Sequence, residues 1–225
     1  IGKTWTACVK AIHHALHVNN ASVIIVSKSE PQAIMILDEI KWMMLRANIG
    51  FEPVIGDVEN RTELHIINED KRGVSVIRCL PCTTSVLAYP ATLMICDEMG
   101  FWEIENMTQI EYFNRVIVSR TNETKNWTNP FFTMGQIVCI SNPNAQQGVL
   151  WYIWNDTDFH QYRYCWLANP KNTKEEYEKW KKKLPADQFD SVYAATFSSA
   201  SGGFITDEEY SDSEREYLIN PSLVN

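Results

Sequence analysis

The chain has 225 residues, 45% of them hydrophobic and 21% charged, with a formal net charge of −8. This length suffices for one well-buried core, or for one domain and a tail, and the composition is ordinary for a soluble globular protein. The acidic balance excludes a uniformly basic nucleic-acid coat but not local contacts to a polyanion. No apolar run approaches the roughly 18 residues that a membrane span needs, so no membrane partner is expected.

The chain opens on Ile1-Gly2-Lys3-Thr4, which matches the last residues of the phosphate-binding loop G-x-x-x-x-G-K-[ST]. The motif is entered midway and no signal peptide precedes it, so the chain is expected to be a fragment of a longer product. Residues 4–17 predict a helix, with Ala7, Cys8, Ala11, Ile12, Ala15 and Leu16 as its apolar stripe. Val23–Val26 is a short apolar strand. Residues 30–47 predict a second helix, with Pro31 in its first turn and Asn48-Ile49-Gly50 ending it. Residues 63–67 and 74–79 are β-rich and are joined by a polar turn over 68–73, which predicts a hairpin.

Residues 81–90 read as a loop. Leu93-Met94-Ile95-Cys96 is a wholly apolar strand, as in a buried parallel sheet, and it runs directly into Asp97-Glu98. A helix is predicted over 104–119, a polar loop over 122–130 and a second buried strand over 135–141. Helices follow over 148–155, 173–184 and 186–197, and a Ser/Gly linker over 198–203. The alternation of strands and helices implies a three-layer α/β domain with a mostly parallel central sheet. Residues 1–205 are assigned to that domain. Residues 206–225 turn acidic and polar, as a tail or as the start of another domain.

The chemistry gathers at three places. The Lys3 ammonium suits β- and γ-phosphates, and amides around Gly2 at the helix N-terminus suit an anion. The Thr4 hydroxyl is expected to hold Mg²⁺, with Asp97 as its partner at the ion, in direct contact or one ligand removed, and Glu98 to orient and deprotonate the attacking water. Such ligands lie at the carboxyl ends of the strands in open α/β sheets. The long separation between the two motifs leaves room for an extra strand between their strands. The third place is Ser141-Asn142-Pro143, which closes an apolar strand; taken alone it reads as a strand-ending turn, which Asn-Pro favours, while in translocating and remodelling ATPases a strand end of this kind can sense the γ-phosphate.

In this order the motifs resemble the ATPase domain of the large terminase subunit of tailed double-stranded DNA viruses. The stretches that carry the resemblance are Gly2-Lys3-Thr4, residues 27–32, LMICDEMGFWE over 93–103, SNPNAQQGVLWYIW over 141–154 and the run over 164–205. The resemblance implies a P-loop NTPase fold of the RecA-like, ASCE type, with ATP and Mg²⁺ as cofactors. It implies that Lys3 binds phosphate, that Thr4 and Asp97 hold magnesium, that Glu98 is the catalytic carboxylate, and that Ser141, Asn142 and Pro143 couple hydrolysis to DNA movement. The implied partners are double-stranded DNA, a portal, a small terminase subunit and further copies of the chain in a ring. The implied location is the host cell cytoplasm, as a viral protein that is not a structural part of the virion. Leu87-Ala88 stands where many terminases carry Arg-Gly. A helicase-like or remodelling ATPase is the alternative, as is an inactive fragment of an ATPase fold.

Other features read more plainly. Arg115 and Arg120 are candidates for a charge-neutralising arginine. Lys171, Lys174, Lys179 and Lys181–Lys183 form a basic cluster interleaved with glutamates, a solvated helix face that is the first candidate for a phosphate-backbone contact. Cys79-Leu80-Pro81-Cys82 lacks the second ligand pair of a zinc site. His13 and His14, adjacent on a helix, diverge too far to share a metal. Asp207, Glu208, Glu209, Asp212 and Glu214 form a solvated acidic run without the buried strand of a two-metal nuclease. The sequons at Asn60 and Asn126 carry no expected role.

Overall fold

In the computed structural model, which describes residues 2–47, 62–67, 73–122 and 135–198, five strands form one sheet in the order β2-β3-β1-β4-β5. The strands are β1 Ser22–Ser27, β2 Glu63–Ile67, β3 Val74–Pro81, β4 Leu93–Asp97 and β5 Gln136–Ile140. β1 pairs in parallel with β3 and β4, and β4 in parallel with β5. Only β2 and β3 are antiparallel, which is the expected hairpin; its turn over 68–72 lies outside the described residues. Helices α1 (Lys3–His17) and α2 (Glu30–Arg46) cover one face. A helical run over 109–122 and α5 (Gly148–Trp154) cover the other.

The three layers follow from the residue pattern. β1 and β4 are apolar at successive positions because both of their faces are covered. Val23 and Ile25, with Leu93 and Ile95, join the core under α1 and α2. Ile24 and Val26, with Met94 and Cys96, join the opposite core. Each such side chain, fully withdrawn from water, contributes about 2 kcal/mol of hydrophobic stabilisation. In α1 the predicted stripe Ala7, Cys8, Ala11, Ile12, Ala15 and Leu16 is buried, and α2 buries Ala33, Ile36, Leu37 and Ile40 at the same spacing.

Four features of these elements differ from the sequence reading. Helix formation on the second face begins at Gln109, not 104, because Thr108 caps it. The Thr108 hydroxyl accepts from the Glu111 N–H, and the Glu111 carboxylate accepts from the Thr108 N–H, a reciprocal capping box. The run then passes from α3 (Gln109–Tyr112) through a π-helical stretch, Phe113–Val118, into α4 (Ser119–Asn122). The predicted loop over 81–90 contains a 3₁₀ turn at Thr84–Ala88. β5 was expected to be buried but is partly exposed along its length, because it has a neighbour on one side only among the described residues.

The strands and helices named so far belong to one compact unit, residues 2–142 and 148–162. A second unit comprises 143–147 and 163–198 of the described residues. It holds α6 (Lys174–Lys183) and α7 (Ala186–Phe189), the latter continuing as a π turn, Asp190–Ala194. The helix expected over 186–197 therefore stops at Ala195, whose backbone is left-handed (φ 52°). Tyr193 stacks on Phe189 and Trp180, and Phe189 meets Tyr177 edge-on, so this unit is packed largely by aromatic faces. Most of the linker over 198–203 and all of 206–225, with its acidic run, lie outside the described residues. So do Asn60, Asn126 and the Asn48–Gly50 helix end.

Candidate active site

The site lies at the carboxyl ends of β4 and β5 and is reached from the N-terminus of α1. The backbone turns through a left-handed conformation at Gly2 (φ 64°), a step that glycine makes without strain, and α1 begins at Lys3. No side chain caps this end, so the amides of the first turn keep their ability to bind an anion. Lys3 and Thr4 project from that turn toward the strand ends.

Asp97, the last residue of β4, is fully buried. Its Oδ1 accepts from the Thr4 hydroxyl at 3.1 Å, and its Oδ2 accepts from Gln32 Nε2 at 3.1 Å. Burial raises its pKa above the ordinary carboxylate value, the Thr4 bond opposes that rise, and the charge of Glu98 adds to it. Behind the site the indole N–H of Trp102 donates to the Asp97 carbonyl at 3.0 Å. The end of the strand is thus fixed on both its main chain and its side chain.

Glu98 follows in a left-handed backbone conformation (φ 49°, ψ 38°), uncommon for a residue with a long side chain. Its Oε2 accepts from the Ser141 hydroxyl and from the Asn142 N–H, each at 3.4 Å. Its Oε1 lies 3.6 Å from Lys3 Nζ. The Lys3 ammonium also donates to Asn142 Oδ1 at the shorter distance of 2.6 Å. Both members of the Lys3–Glu98 pair are about a third exposed, so solvent screens their attraction and the pair contributes little to stability.

Ser141 and Asn142 owe their place to the sheet register. Asp97 stands opposite Ile140, so the next two residues of the β5 strand emerge beside Glu98. Gly100 permits the approach. Its N–H donates to the Ser141 hydroxyl at 3.2 Å, and a Cβ on it would lie 3.0 Å from that oxygen. The structure therefore gathers Gly2, Lys3, Thr4, Asp97, Glu98, Ser141 and Asn142. Pro143, the remaining sequence candidate, begins the second unit.

The donor set fits a magnesium nucleotide. Thr4 Oγ1 and Asp97 Oδ1 are a pair of hard oxygens beside a lysine ammonium. Among the described residues no group of three His, Cys, Asp or Glu side chains could form an all-protein metal cage. A single carboxylate with a hydroxyl matches the way Mg²⁺ is held when phosphate oxygens and water complete its shell.

Gln32 was not singled out by sequence, although it falls within one of the stretches that carry the resemblance. The candidate arginines are engaged elsewhere. Arg115 pairs with Glu111 at 3.8 Å, and Arg120 Nη1 donates to the Leu87 carbonyl at 3.3 Å. The Cys79 thiol is buried and held well above its ordinary pKa by desolvation, while the Cys82 thiol donates to the Lys28 carbonyl at 3.5 Å. Inert, protonated thiols are what a structural reading of this pair requires. His14 Nε2 is bonded to Thr92 Oγ1, and the His13 ring packs against His17, so the adjacent histidines do diverge.

No protein-family model matches the sequence, and no curated protein matches it. Solved structures do share its fold. The large terminase ATPase domain of Thermus phage P74-26 superposes with a TM-score of 0.67 at 16% identity, over 88% of this chain and 84% of that one. A large terminase of a thermophilic bacteriophage, solved in complex with ATP-gamma-S, gives 0.61 at 13% identity, over 87% of this chain and 45% of that one. The large terminase of bacteriophage HK97 gives 0.61 at 16% identity, over 87% and 44%. The chain thus spans most of an isolated terminase ATPase domain and less than half of the longer terminase chains.

Proposed function

We propose that the chain is the ATPase domain of a viral DNA-packaging motor, hydrolysing the β–γ bond of ATP to drive double-stranded DNA into a capsid. The observation that supports this most directly is the meeting, at one end of a parallel sheet, of Lys3, Thr4, Asp97, Glu98 and Asn142. Thr4 lies 3.1 Å from Asp97, and Lys3 lies 2.6 Å from Asn142. The fold shared with terminase ATPase domains, one of them in a chain solved with a nucleotide analogue, supports the choice of this ATPase class.

In this reading the α1 amides and the Lys3 ammonium bind the phosphates. Thr4 and Asp97 would hold a magnesium ion, which when bound would neutralise charge on the phosphoryl oxygens. Glu98 orients a water and takes its proton at a carboxylate oxygen. The Ser141 hydroxyl and the Asn142 N–H hold that carboxylate at Oε2, while Oε1 lies near Lys3. Lys3 leaves Asn142 for the phosphate when nucleotide arrives, and Asn142 thereby reports occupancy to the chain beyond it. Positioning and electrostatics carry most of such catalysis. The partners follow from the same reading: double-stranded DNA, a portal, a small terminase subunit and further copies of the chain in a ring, acting in the host cell cytoplasm.

The test is Glu98→Gln in the intact protein. It should leave ATP binding near normal and lower DNA-stimulated turnover by at least about 100-fold, the contribution of a positioned base. Near-normal hydrolysis in that variant would sink the assignment.

A further inference from the structure

We propose that Gln32 is a positioning residue for the carboxylate of Asp97, fixing it by Oδ2 so that Oδ1 stays turned toward Thr4. The inference rests on the nucleotide-binding reading above and extends it to a residue with no assigned role.

The first observation is the division of labour at Asp97. One oxygen takes a hydrogen from α1 through Thr4, and the other takes a hydrogen from α2 through Gln32, both at 3.1 Å. An ionised carboxylate can only accept, so the Gln32 amide must present its N–H₂ side to Oδ2. The bond is neutral on the glutamine side. It orients the carboxylate without cancelling the negative charge that attracts a cation, which a lysine or arginine in its place would do.

The second observation is what Gln32 forgoes. Ser29-Glu30-Pro31-Gln32 spells a capping box, S-x-x-[EQ], at the start of α2. In the same chain α3 and α6 both begin with that box formed, through Thr108 with Glu111 and Thr173 with Glu176. At α2 the Ser29 side chain makes no capping bond, and the Gln32 side chain crosses to Asp97 instead. Local helix chemistry therefore does not account for its orientation, whereas the carboxylate does. The next residue, Ala33, is fully buried, so the backbone that carries Gln32 is anchored on the core.

Two variants in the intact protein separate this role from a packing role. Gln32→Met keeps the volume and removes the donor. Gln32→Glu keeps the shape and sets a like charge against Asp97. The measurement is the Mg²⁺ concentration that half-saturates binding of a non-hydrolysable ATP analogue. It is paired with binding of the same analogue in excess chelator and with thermal melting free of ligand. Loss of a partner that orients a metal ligand raises the Mg²⁺ requirement by about 10- to 100-fold. Gln32→Met is expected in that range and Gln32→Glu above it, with chelator-phase binding and melting close to wild type. A wild-type Mg²⁺ requirement in either variant would overturn the proposal. So would an equal loss of analogue binding with and without Mg²⁺, which marks a merely structural role. Wild-type protein that fails to bind the magnesium analogue at all would instead bring down the nucleotide-binding reading on which the proposal stands.

Discussion

At the scale of single residues, the candidate site carries a backbone cost at Glu98. Asn20 and Asn106, which also have positive φ, belong to a residue type that tolerates the left-handed region. Glu98 does not, and its conformation costs about 1–2 kcal/mol. The return is direction, since the carboxylate of this turn meets Ser141 and Asn142. His14 shows a different kind of cost. It is almost wholly buried, and desolvation, helped by nearby Lys10 and His13, lowers its pKa from 6.5 to about 4. Above pH 6.5 the imidazole is neutral in both folded and unfolded chains and nothing is lost. Between 6.5 and 4 the unfolded chain takes the proton first, so stability falls as pH falls. From pH 7 to pH 5 this one group should remove about 2 kcal/mol. Urea denaturation of wild type and His14→Gln at the two pH values should show the slope shrinking by that amount in the variant, and an unchanged slope would assign the sensitivity elsewhere. Asp97 works in the opposite sense, because its raised pKa makes it less unfavourable as acid is added.

At the scale of elements, the closeness of packing around β5 gives the sharpest expectation. Gly135 leads into that strand, and a Cβ there would stand 2.7 Å from the carbonyl oxygens of both Ala91 and Thr121. These are main-chain atoms of two other segments and cannot swing aside. Gly135→Ala should therefore cost about 1–3 kcal/mol, as overpacking does. Equilibrium denaturation reads this directly, and a variant as stable as wild type would mean that the segments shift freely. The central elements were legible in the sequence because their burial is written in their letters. β1 and β4 are unbroken apolar runs, and α1 has one stripe at helical spacing. The π-helical stretch at Phe113–Val118 was not legible, since an inserted residue leaves the surrounding apolar pattern readable as ordinary helix. The exposure of β5 was not legible either. Val138 and Ile140 read as core residues and do pack against the core while staying partly exposed, and only the sheet order tells which strand stands at an edge among the described residues. The candidate site was read from Gly2-Lys3-Thr4, Asp97-Glu98 and Ser141-Asn142, residues that the fold brings together. Gln32 escaped because its letters make equal sense as a helix cap.

At the scale of the whole molecule, charge limits the form that the proposed DNA contact can take. With a net charge of −8, attraction to a polyanion must come from a local patch. α6 supplies one. Lys181, Lys182 and Lys183 are exposed in its last turn, where cations also complement the helix dipole. Each lysine that neutralises a phosphate contributes close to one unit to the slope of log affinity against log salt. Reversal of all three charges should flatten that slope by about two to three and weaken DNA-stimulated hydrolysis, while leaving hydrolysis without DNA intact. An unaltered salt slope would remove α6 from the DNA path.

The register between β4 and β5 has a consequence for how information is stored in this fold. Asp97 faces Ile140, so Asn142 reaches Glu98 by counting, not by any property of the letters counted. Gln136 to Ile140 could be rewritten in many apolar spellings without moving Ser141. Removing one of them would turn the strand end by half a twist and carry the serine to the other face. The message in that stretch is a length, and a length survives in three dimensions long after spelling has drifted beyond recognition.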